Sequence, residues 1–185
     1  MLPLAWFVLL FQDRATEDYL SRVGHKVSRS AEVRFVNDAD VRAAALPGDR
    51  VEVSTGLFAR VQNEAELAGV IAHELAHRAE GTECIRFVHV VSAANAPHEA
   101  GKQDDRPNEA KADQTAIQAL TKAGYNPMAM LEFFSKYRRA GTDLPQNYSA
   151  EDLLLEKLEL EATDHPLKDV ILNTPEFDRV HDSVK

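Results

Sequence analysis

The sequence predicts an α+β fold in which a few short strands precede a series of helices. Between residues 31 and 55, extended segments are separated by residues that favour turns. After residue 63, apolar residues recur with a helical period, and several segments begin or end at capping residues. The 185 residues suit one domain with a substantial core, which we assign to 13–185.

Residues 1–12 form an apolar segment ahead of this domain. Leu2 to Phe11 (LPLAWFVLLF) is too short to span a bilayer, but it has the length of a signal-peptide core. No Lys or Arg precedes it, and Gln12-Asp13-Arg14 is not a small-residue cleavage site. Two interpretations stay open, an export signal or its remnant and a first helix packed into a groove.

The first part of the domain contains one helix and three extended segments. Apolar residues with a helical period predict the helix from Asp13 to about Val27. The segment 31–36 alternates like a strand, and two further extended segments cover 41–46 and 50–55. Pro47-Gly48-Asp49 predicts the turn between these two.

The remainder is predicted to be mainly helical. Asn63 is a candidate N-cap, and Glu66 can complete a capping box for a helix over 64–79 that is apolar on most faces. Pro107 suits the first turn of a helix that ends at Gly124. Further helices are predicted from Asn126-Pro127 to about 139, from 149 to about 161, and from Thr174-Pro175 onward.

The helix over 64–79 carries the pattern His73-Glu74-x-x-His77. In a helix the two histidines lie about 40° apart around the axis and about 6 Å along it, so both project from one face. Two neutral imidazoles there can bind one Zn²⁺, and a third protein ligand leaves one position open for catalysis. Glu74 is then placed to take a proton from a water at the metal. The alternative is a buried helix whose histidines only pack.

A third ligand is predicted on the next helix. The metzincin pattern is excluded, because Glu80 and Glu83 stand where that class needs glycine and histidine. Glu109 and Asp113 have the i, i+4 spacing that lets Glu109 coordinate zinc while Asp113 accepts the distal N–H of a ligand histidine. The alternative for such a pair is a solvated helix face.

Five strings of residues together resemble the HtpX and CAAX-prenyl-protease type of zinc metallopeptidase, which is metallopeptidase family forty-eight of the gluzincin group. The resemblance covers roughly Tyr19 to Leu172. The strings are Ala45-Leu46-Pro47-Gly48, Ser54-Thr55-Gly56-Leu57, the segment from Glu66 to His77, Glu109-Ala110-Lys111-Ala112-Asp113, and Ala123-Gly124-Tyr125-Asn126-Pro127.

The resemblance implies a zincin-like domain whose small mixed sheet packs on the HExxH helix and on further helices. It implies zinc ligation by His73, His77 and Glu109, with Glu74 as general base and Asp113 behind a ligand histidine. Because no apolar span follows the first dozen residues, the chain looks like the soluble, periplasmic or secreted branch of the family. A cytoplasmic location is the alternative.

His165 is a further candidate, since His165-Pro166 resembles the family's His-Pro element. It would donate to the oxyanion, help to bind substrate, or occupy the open zinc position as a gate. The alternative is a surface histidine beside a helix. The arginine usually found shortly after this element has no close counterpart here.

Substrate binding is predicted along the strand just before the active-site helix. Zincins commonly hold peptides as an added strand on an exposed sheet edge. Val51, Glu52, Val53 and Ser54 are the candidate edge residues, and charged residues suit an edge that must avoid aggregation. The alternative is an internal strand.

Composition narrows the partners. The chain has 21 Lys and Arg against 30 Asp and Glu, a formal charge of −9 with no basic cluster, which disfavours nucleic acid. Cys84 is the only cysteine, which excludes an internal disulfide and a thiolate zinc cluster.

The sequence thus predicts a zinc endopeptidase that cleaves extended or unfolded polypeptides, with a role in envelope protein quality control suggested by the resemblance. One alternative is a zinc-binding, chaperone-like or gated scaffold with little intrinsic proteolysis. A second is a zinc hydrolase acting on a small amide.

Overall fold

The computed structural model describes residues 4–79, 106–138 and 169–184, with side chains described at 14–78, 111–134, 136 and 169–184. Three strands lie near the beginning and helices make up the rest of the described chain. In order, the elements are α1 (Leu4–Val27), β1 (Glu32–Val36), β2 (Ala43–Leu46), β3 (Arg50–Ser54), α2 (Thr55–Phe58), α3 (Glu64–Ala79), α4 (Arg106–Ala123), α5 (Met128–Arg138) and α6 (Pro175–Val184).

The three strands form one mixed sheet in the order β1-β3-β2. β1 runs parallel to β3, with Val33 opposite Val51, and β2 runs antiparallel to β3, with Ala45 also opposite Val51. The predicted small mixed sheet and the α+β class are confirmed. β3 is the central strand, however, so the prediction that it forms an exposed edge is wrong.

Central placement of β3 has a physical reason in its own side chains. Val51 and Val53 are 0% exposed and point into the core, whereas Glu52 is half-buried on the other face. Burial of two valines stabilises the fold most when the strand that carries them is paired along both edges and covered by other elements. The hairpin before it turns through Gly48 and Asp49, both with positive φ, a conformation that glycine and aspartate tolerate better than most residues.

α3 lies at the centre of the domain and packs against α1, α4, α5 and β2. Its apolar residues Leu67, Val70 and Ile71 are fully buried. Gly69 permits a close approach of α5, since a Cβ at this position would lie 2.5 Å from Cβ of Met130. The predicted burial of this helix on most faces is confirmed.

The amino end of α3 is capped almost as predicted. Oδ1 of Asn63 accepts the Glu66 N–H at 2.9 Å. The Glu66 carboxylate reaches back, but it accepts the N–H of Gln62 at 2.7 Å, one residue before the N-cap. Two further acceptors come from the C-terminal segment, where Leu172 O accepts from Ala65 N–H and Asn173 Oδ1 accepts from Glu64 N–H.

The helices α4, α5 and α6 begin and end close to their predicted bounds. α4 ends with Gly124 at φ 81° and a hydrogen bond from Tyr125 N–H to Leu120 O, a left-handed C-terminal cap. Asn126 Oδ1 accepts from Met128 N–H at the start of α5, and Thr174 Oγ1 accepts from Phe177 N–H at the start of α6. The predicted helix over 149–161 lies outside the described residues.

α1 begins at Leu4, earlier than the predicted start at Asp13, and its backbone continues without a break through the proposed boundary at residue 12. Its side chains are described from Arg14 onward; of these, Tyr19, Leu20 and Val23 are buried against the rest of the domain. In the described part of the chain, no helix combines the length and the hydropathy needed to cross a membrane. The choice between export signal and packed helix for residues 1–12 stays a prediction.

Candidate metal centre

Helix α3 brings the two histidines of the motif together. His73 and His77 are 2% and 4% exposed, and their Nε2 atoms lie 3.0 Å apart. The rings stand almost perpendicular, with centroids 4.6 Å apart. This convergence follows from the i, i+4 spacing, which puts both side chains on one face of the helix.

Helix α4 supplies a carboxylate behind one of these rings. Oδ1 of Asp113 lies 2.9 Å from Nδ1 of His73, and Asp113 itself is 2% exposed. A carboxylate at this distance favours the proton on Nδ1, which leaves a lone pair on Nε2 directed towards His77. The ring of Phe134, from α5, packs on His73 with centroids 5.0 Å apart. The orientation of His73 is thus fixed on two sides.

The donor set fits a metal ion such as zinc. Two ring nitrogens 3.0 Å apart need a proton or a cation between them, since two facing lone pairs repel. Two nitrogen ligands of a tetrahedral zinc at its usual bond length lie about 3.3 Å apart, which is close to this separation. The buried Asp113 adds the outer partner that ligand histidines ordinarily have.

Glu74 lies on the neighbouring face of α3, turned towards the sheet. It is 1% exposed, and its Oε2 accepts a hydrogen bond from the backbone N–H of Ala45 in β2 at 3.0 Å. A strand and a helix therefore meet at this carboxylate. The sequence motif gives Glu74 its place beside the histidines, but it contains no sign of the contact with β2.

The structure describes only part of Glu109 and nothing of His165, the two other residues predicted for the metal site. Glu109 lies on α4 one turn before Asp113, as predicted, but its side chain is outside the described part. Among the described side chains, no third potential ligand joins His73 and His77. His165 lies outside the described residues, so its predicted role stays a prediction.

The sheet residues predicted to bind substrate do not line an edge. Val51, Val53 and Ser54 are 0% exposed, and Glu52 is flanked by β1 and β2. β2 is an outer strand of the described sheet, and it is the strand that contacts Glu74. The sequence predicted an extended segment over 41–46 but not its place as an outer strand, because an alanine run shows neither alternation nor β-branched residues.

A further buried carboxylate, whose importance the sequence did not reveal, belongs to Glu64, the first residue of α3. Glu64 is 1% exposed and accepts hydrogen bonds from Tyr19 (3.0 Å), Tyr125 (2.7 Å), Lys26 (2.9 Å) and the hydroxyl of Thr174. It thus joins α1, the turn between α4 and α5, and the segment before α6.

This network shifts the pKa values of its members in opposite directions. Burial alone would raise the pKa of Glu64, but hydrogen bonds from Thr174, Lys26 and Tyr125 outweigh it and hold the pKa below its usual value. Burial and the nearby carboxylate raise the pKa of both Tyr19 and Tyr125. Glu64 is therefore ionised, and both phenols remain protonated, at neutral pH.

Comparison with known proteins agrees with this geometry. Residues 13–96, which include β2 and all of α3, match the family model described as Peptidase family M48. The chain belongs to this family. Its α+β fold is consistent with a domain of this family.

Three relatives illustrate the range of the family. The first is a beta-barrel assembly-enhancing protease, by name, of Vibrio cholerae, 30% identical over 176 aligned residues that cover 74% of this chain and 36% of the relative. A protein of the same name from Yersinia pestis is 26% identical over 163 residues, covering 69% and 34%. The mitochondrial metalloendopeptidase OMA1 of Arabidopsis thaliana is 30% identical over 147 residues, covering 67% and 29%. The chain thus spans about a third of the length of these relatives.

Proposed function

We propose that the protein is a zinc-dependent endopeptidase that hydrolyses extended or unfolded polypeptides. The observation that carries this proposal is the arrangement around α3, where Nε2 of His73 and Nε2 of His77 converge while Asp113 binds the far side of His73. A hydrogen bond between the two rings or a shared cation brings two imidazole nitrogens this close in a buried site. The carboxylate of Asp113 behind His73 favours the cation.

His73, His77 and Glu109 would hold the zinc, and Asp113 would orient His73. Glu109 is the proposed third ligand because its position precedes that of Asp113 by one turn of the same helix, so the two positions share one face of α4. When bound, zinc polarises a carbonyl oxygen and lowers the pKa of water. Asp113 keeps the proton of His73 on Nδ1, so that Nε2 stays available as a ligand.

Glu74 would act as general base and then as general acid. Its carboxylate adjoins His73 in sequence and is held by the Ala45 N–H through Oε2. It would take a proton from the attacking water and deliver that proton to the leaving amine nitrogen. Burial of Glu74 keeps bulk water from competing for the proton.

The substrate would lie along β2 as an added strand. Arg42 and Ser54 are hydrogen-bonded to each other at the start of the β2–β3 pair. Because hydrogen-bonded pairs alternate along an antiparallel ladder, the backbone N–H and C=O groups of Ala43 and Ala45 point away from β3. The Ala45 N–H uses this direction to reach Glu74. A peptide paired with this side of β2 would have its backbone beside the Glu74 carboxylate.

The relatives support a role in protein quality control of the cell envelope. Two of them are named for enhancing the assembly of beta-barrel proteins, which reside in bacterial outer membranes. We therefore propose a periplasmic or secreted location, with polypeptides as substrates. The mitochondrial relative is also named as an endopeptidase, which favours peptide hydrolysis over the small-amide alternative.

The burial of the site favours one alternative, a gated scaffold with little intrinsic proteolysis. Ala43 and Ala45 are 0% and 5% exposed, and Glu74 is 1% exposed. A peptide would reach β2 only after the chain around it opened. In this alternative His165 would serve as a fourth zinc ligand and as the gate.

One comparison tests the proposal. Wild type and Glu74→Gln are measured for zinc content and for cleavage of casein, an unfolded protein. We expect equal zinc in both and cleavage by wild type alone, since the amide cannot accept the proton. Zinc-loaded wild type without proteolysis would favour the scaffold, unless His165→Ala switches cleavage on. Absence of zinc from both proteins would contradict the metal site.

A further inference from the structure

The segment Ser54-Thr55-Gly56, which follows β3, has no role in the proposed chemistry, yet it is densely bonded. Ser54 is 0% exposed, and its hydroxyl accepts from Arg42 N–H and Leu57 N–H, each at 3.0 Å, and donates to Asp40 O at 2.6 Å. All the bonds expected of one buried hydroxyl are thus made to backbone groups. Ser54 cannot touch a substrate directly, contrary to its predicted role.

Thr55 and Gly56 bind the same loop from the other side. The Thr55 hydroxyl accepts from Asp38 N–H at 3.1 Å and donates to Asp38 O at 2.7 Å. Gly56 N–H also donates to Asp38 O, at 2.9 Å. A Cβ at Gly56 would lie 2.2 Å from the carbonyl oxygen of Ala39, so only glycine allows this approach. We call Ser54, Thr55 and Gly56 the loop clamp.

The loop held by the clamp leads directly into β2. Residue Arg42 donates its N–H to Ser54 Oγ and accepts from Ser54 N–H, at 3.0 Å in both cases. The hydrogen-bonded pairs of an antiparallel ladder alternate from this point. The contact therefore determines that the backbone N–H and C=O groups of Ala43 and Ala45 point away from β3. β2 has four residues, so a slip at its beginning would affect the whole strand.

We propose that the loop clamp positions β2 as the template for substrate, so that Ser54 and Thr55 are positioning residues for the reaction. The inference rests on the proposed function, in which β2 pairs with the peptide. The clamp acts on peptide binding and not on the metal, because its bonds reach the loop and Arg42, whereas His73, His77 and Asp113 are held by α3, α4 and α5. It therefore predicts a separable effect on long substrates.

The test uses two variants at one position and two peptides. Thr55→Val removes the hydroxyl with little change of shape, and Thr55→Ser keeps it, so serine should restore what valine loses. Ser54→Ala is the second disruption. Ser21→Ala is the matched control, because it removes a hydroxyl bonded to a strand carbonyl, that of Val33 in β1 on the far side of the sheet.

The two casein-derived peptides have about ten residues and about two, so at about 3.3 Å per residue the long peptide can pair with all four residues of β2 and the short one with only part of it. Binding of each labelled peptide is measured by fluorescence anisotropy in the Glu74→Gln protein, where nothing is cleaved. Cleavage by the protein with Glu74 intact gives kcat and KM, and zinc content is recorded for every variant.

We expect Thr55→Val and Ser54→Ala to weaken binding of the long peptide about tenfold, as the loss of one or two strand hydrogen bonds would. Its KM should rise accordingly, while zinc content and short-peptide binding stay within about twofold. Thr55→Ser and Ser21→Ala should behave like wild type. Unchanged binding of the long peptide, or an equal loss of affinity for both peptides, would overturn the proposed role of the loop clamp. If wild type binds the peptides but cleaves none, the endopeptidase proposal fails. The binding measurements would still test whether the loop clamp positions β2 for the peptide.

Discussion

The backbone N–H of Ala45 donates a hydrogen bond to Oε2 of Glu74 across 3.0 Å, so that β2, the outer strand of the described sheet, and the HExxH helix meet at one carboxylate. This contact orients the carboxylate, and it places the side of β2 that faces away from β3 next to that carboxylate. In the proposed function, this one backbone group would locate both the substrate strand and the proton acceptor. The relationship leads directly to a prediction about Ala45.

Ala45→Pro should reduce peptide cleavage while the fold and the zinc are retained. Proline lacks the N–H and would push the Glu74 carboxylate from its position, and a displacement of about 1 Å is able to cost about a hundredfold in rate. Because this N–H faces away from β3, no ladder hydrogen bond is lost. Steady-state kinetics on casein-derived peptides and zinc analysis measure the effect.

Ala44→Pro is the matched control for this prediction. The N–H of Ala44 faces β3 in the alternating ladder, so proline there should lower the free energy of unfolding more than proline at position 45 does. Wild-type kcat in Ala45→Pro would show that the contact with Glu74 has no part in catalysis.

Asp113→Ala should weaken zinc binding about tenfold to a hundredfold, the usual cost of removing the outer partner of a ligand histidine. The reason is that His73 would lose the acceptor 2.9 Å from its Nδ1 and with it the fixed proton position. Asp113→Asn keeps an acceptor oxygen and should bind zinc more tightly than the alanine variant. Competition with a chromogenic chelator measures both affinities, and equal affinity in wild type and Asp113→Ala would contradict the assigned role of Asp113.

These residues also show what the sequence was able to predict. Helices and strands were largely predictable because periodicity, caps and turns are local, as at Asn63, Pro47-Gly48 and Gly124. The pairing of His73 with His77 is local too, since one helix holds both. The spacing of Glu109 and Asp113 on α4 suggested a partner for one of the histidines, but the contact of Asp113 with His73 joins two helices and no local pattern determines it.

Tertiary neighbours were not predictable in the same way. The order of strands depends on which strand covers which, so the valines of β3 were assigned to an edge although they occupy the centre of the sheet. The acceptor role of Glu64 depends on Tyr19, Tyr125 and Thr174, which are distant in sequence. Long-range contacts of this kind leave no periodic pattern in the chain.

Glu64→Gln should lower stability at neutral pH and flatten its dependence on pH in acid. At pH 7 the variant loses charge-assisted bonds to Lys26 and the hydroxyl groups, at a cost of about 2 to 3 kcal/mol. Because the pKa of Glu64 is lower in the folded than in the unfolded chain, its contribution is present above the ordinary pKa of about 4.5 and disappears as pH falls further.

Urea unfolding between pH 7 and pH 3 measures this difference. The gap in stability between wild type and Glu64→Gln should narrow as the pH falls below about 4.5. Glu32→Gln, at an exposed position of β1, is the control and should follow wild type. A gap that stays constant down to pH 3 would contradict the lowered pKa of Glu64.

Gly69→Ala should destabilise the domain, although alanine is the better helix former. In an open helix this change would add about 1 kcal/mol of stability. Here the new Cβ would lie 2.5 Å from Cβ and 2.8 Å from Cγ of Met130, so α5 must move away from α3, and such overpacking typically costs about 1 to 3 kcal/mol. Met130→Ala in the same protein should relieve little of the cost, because Cβ of residue 130 remains. Thermal and urea unfolding of the two single variants and the double variant measure the coupling, and a higher stability of Gly69→Ala would refute the close contact between α3 and α5.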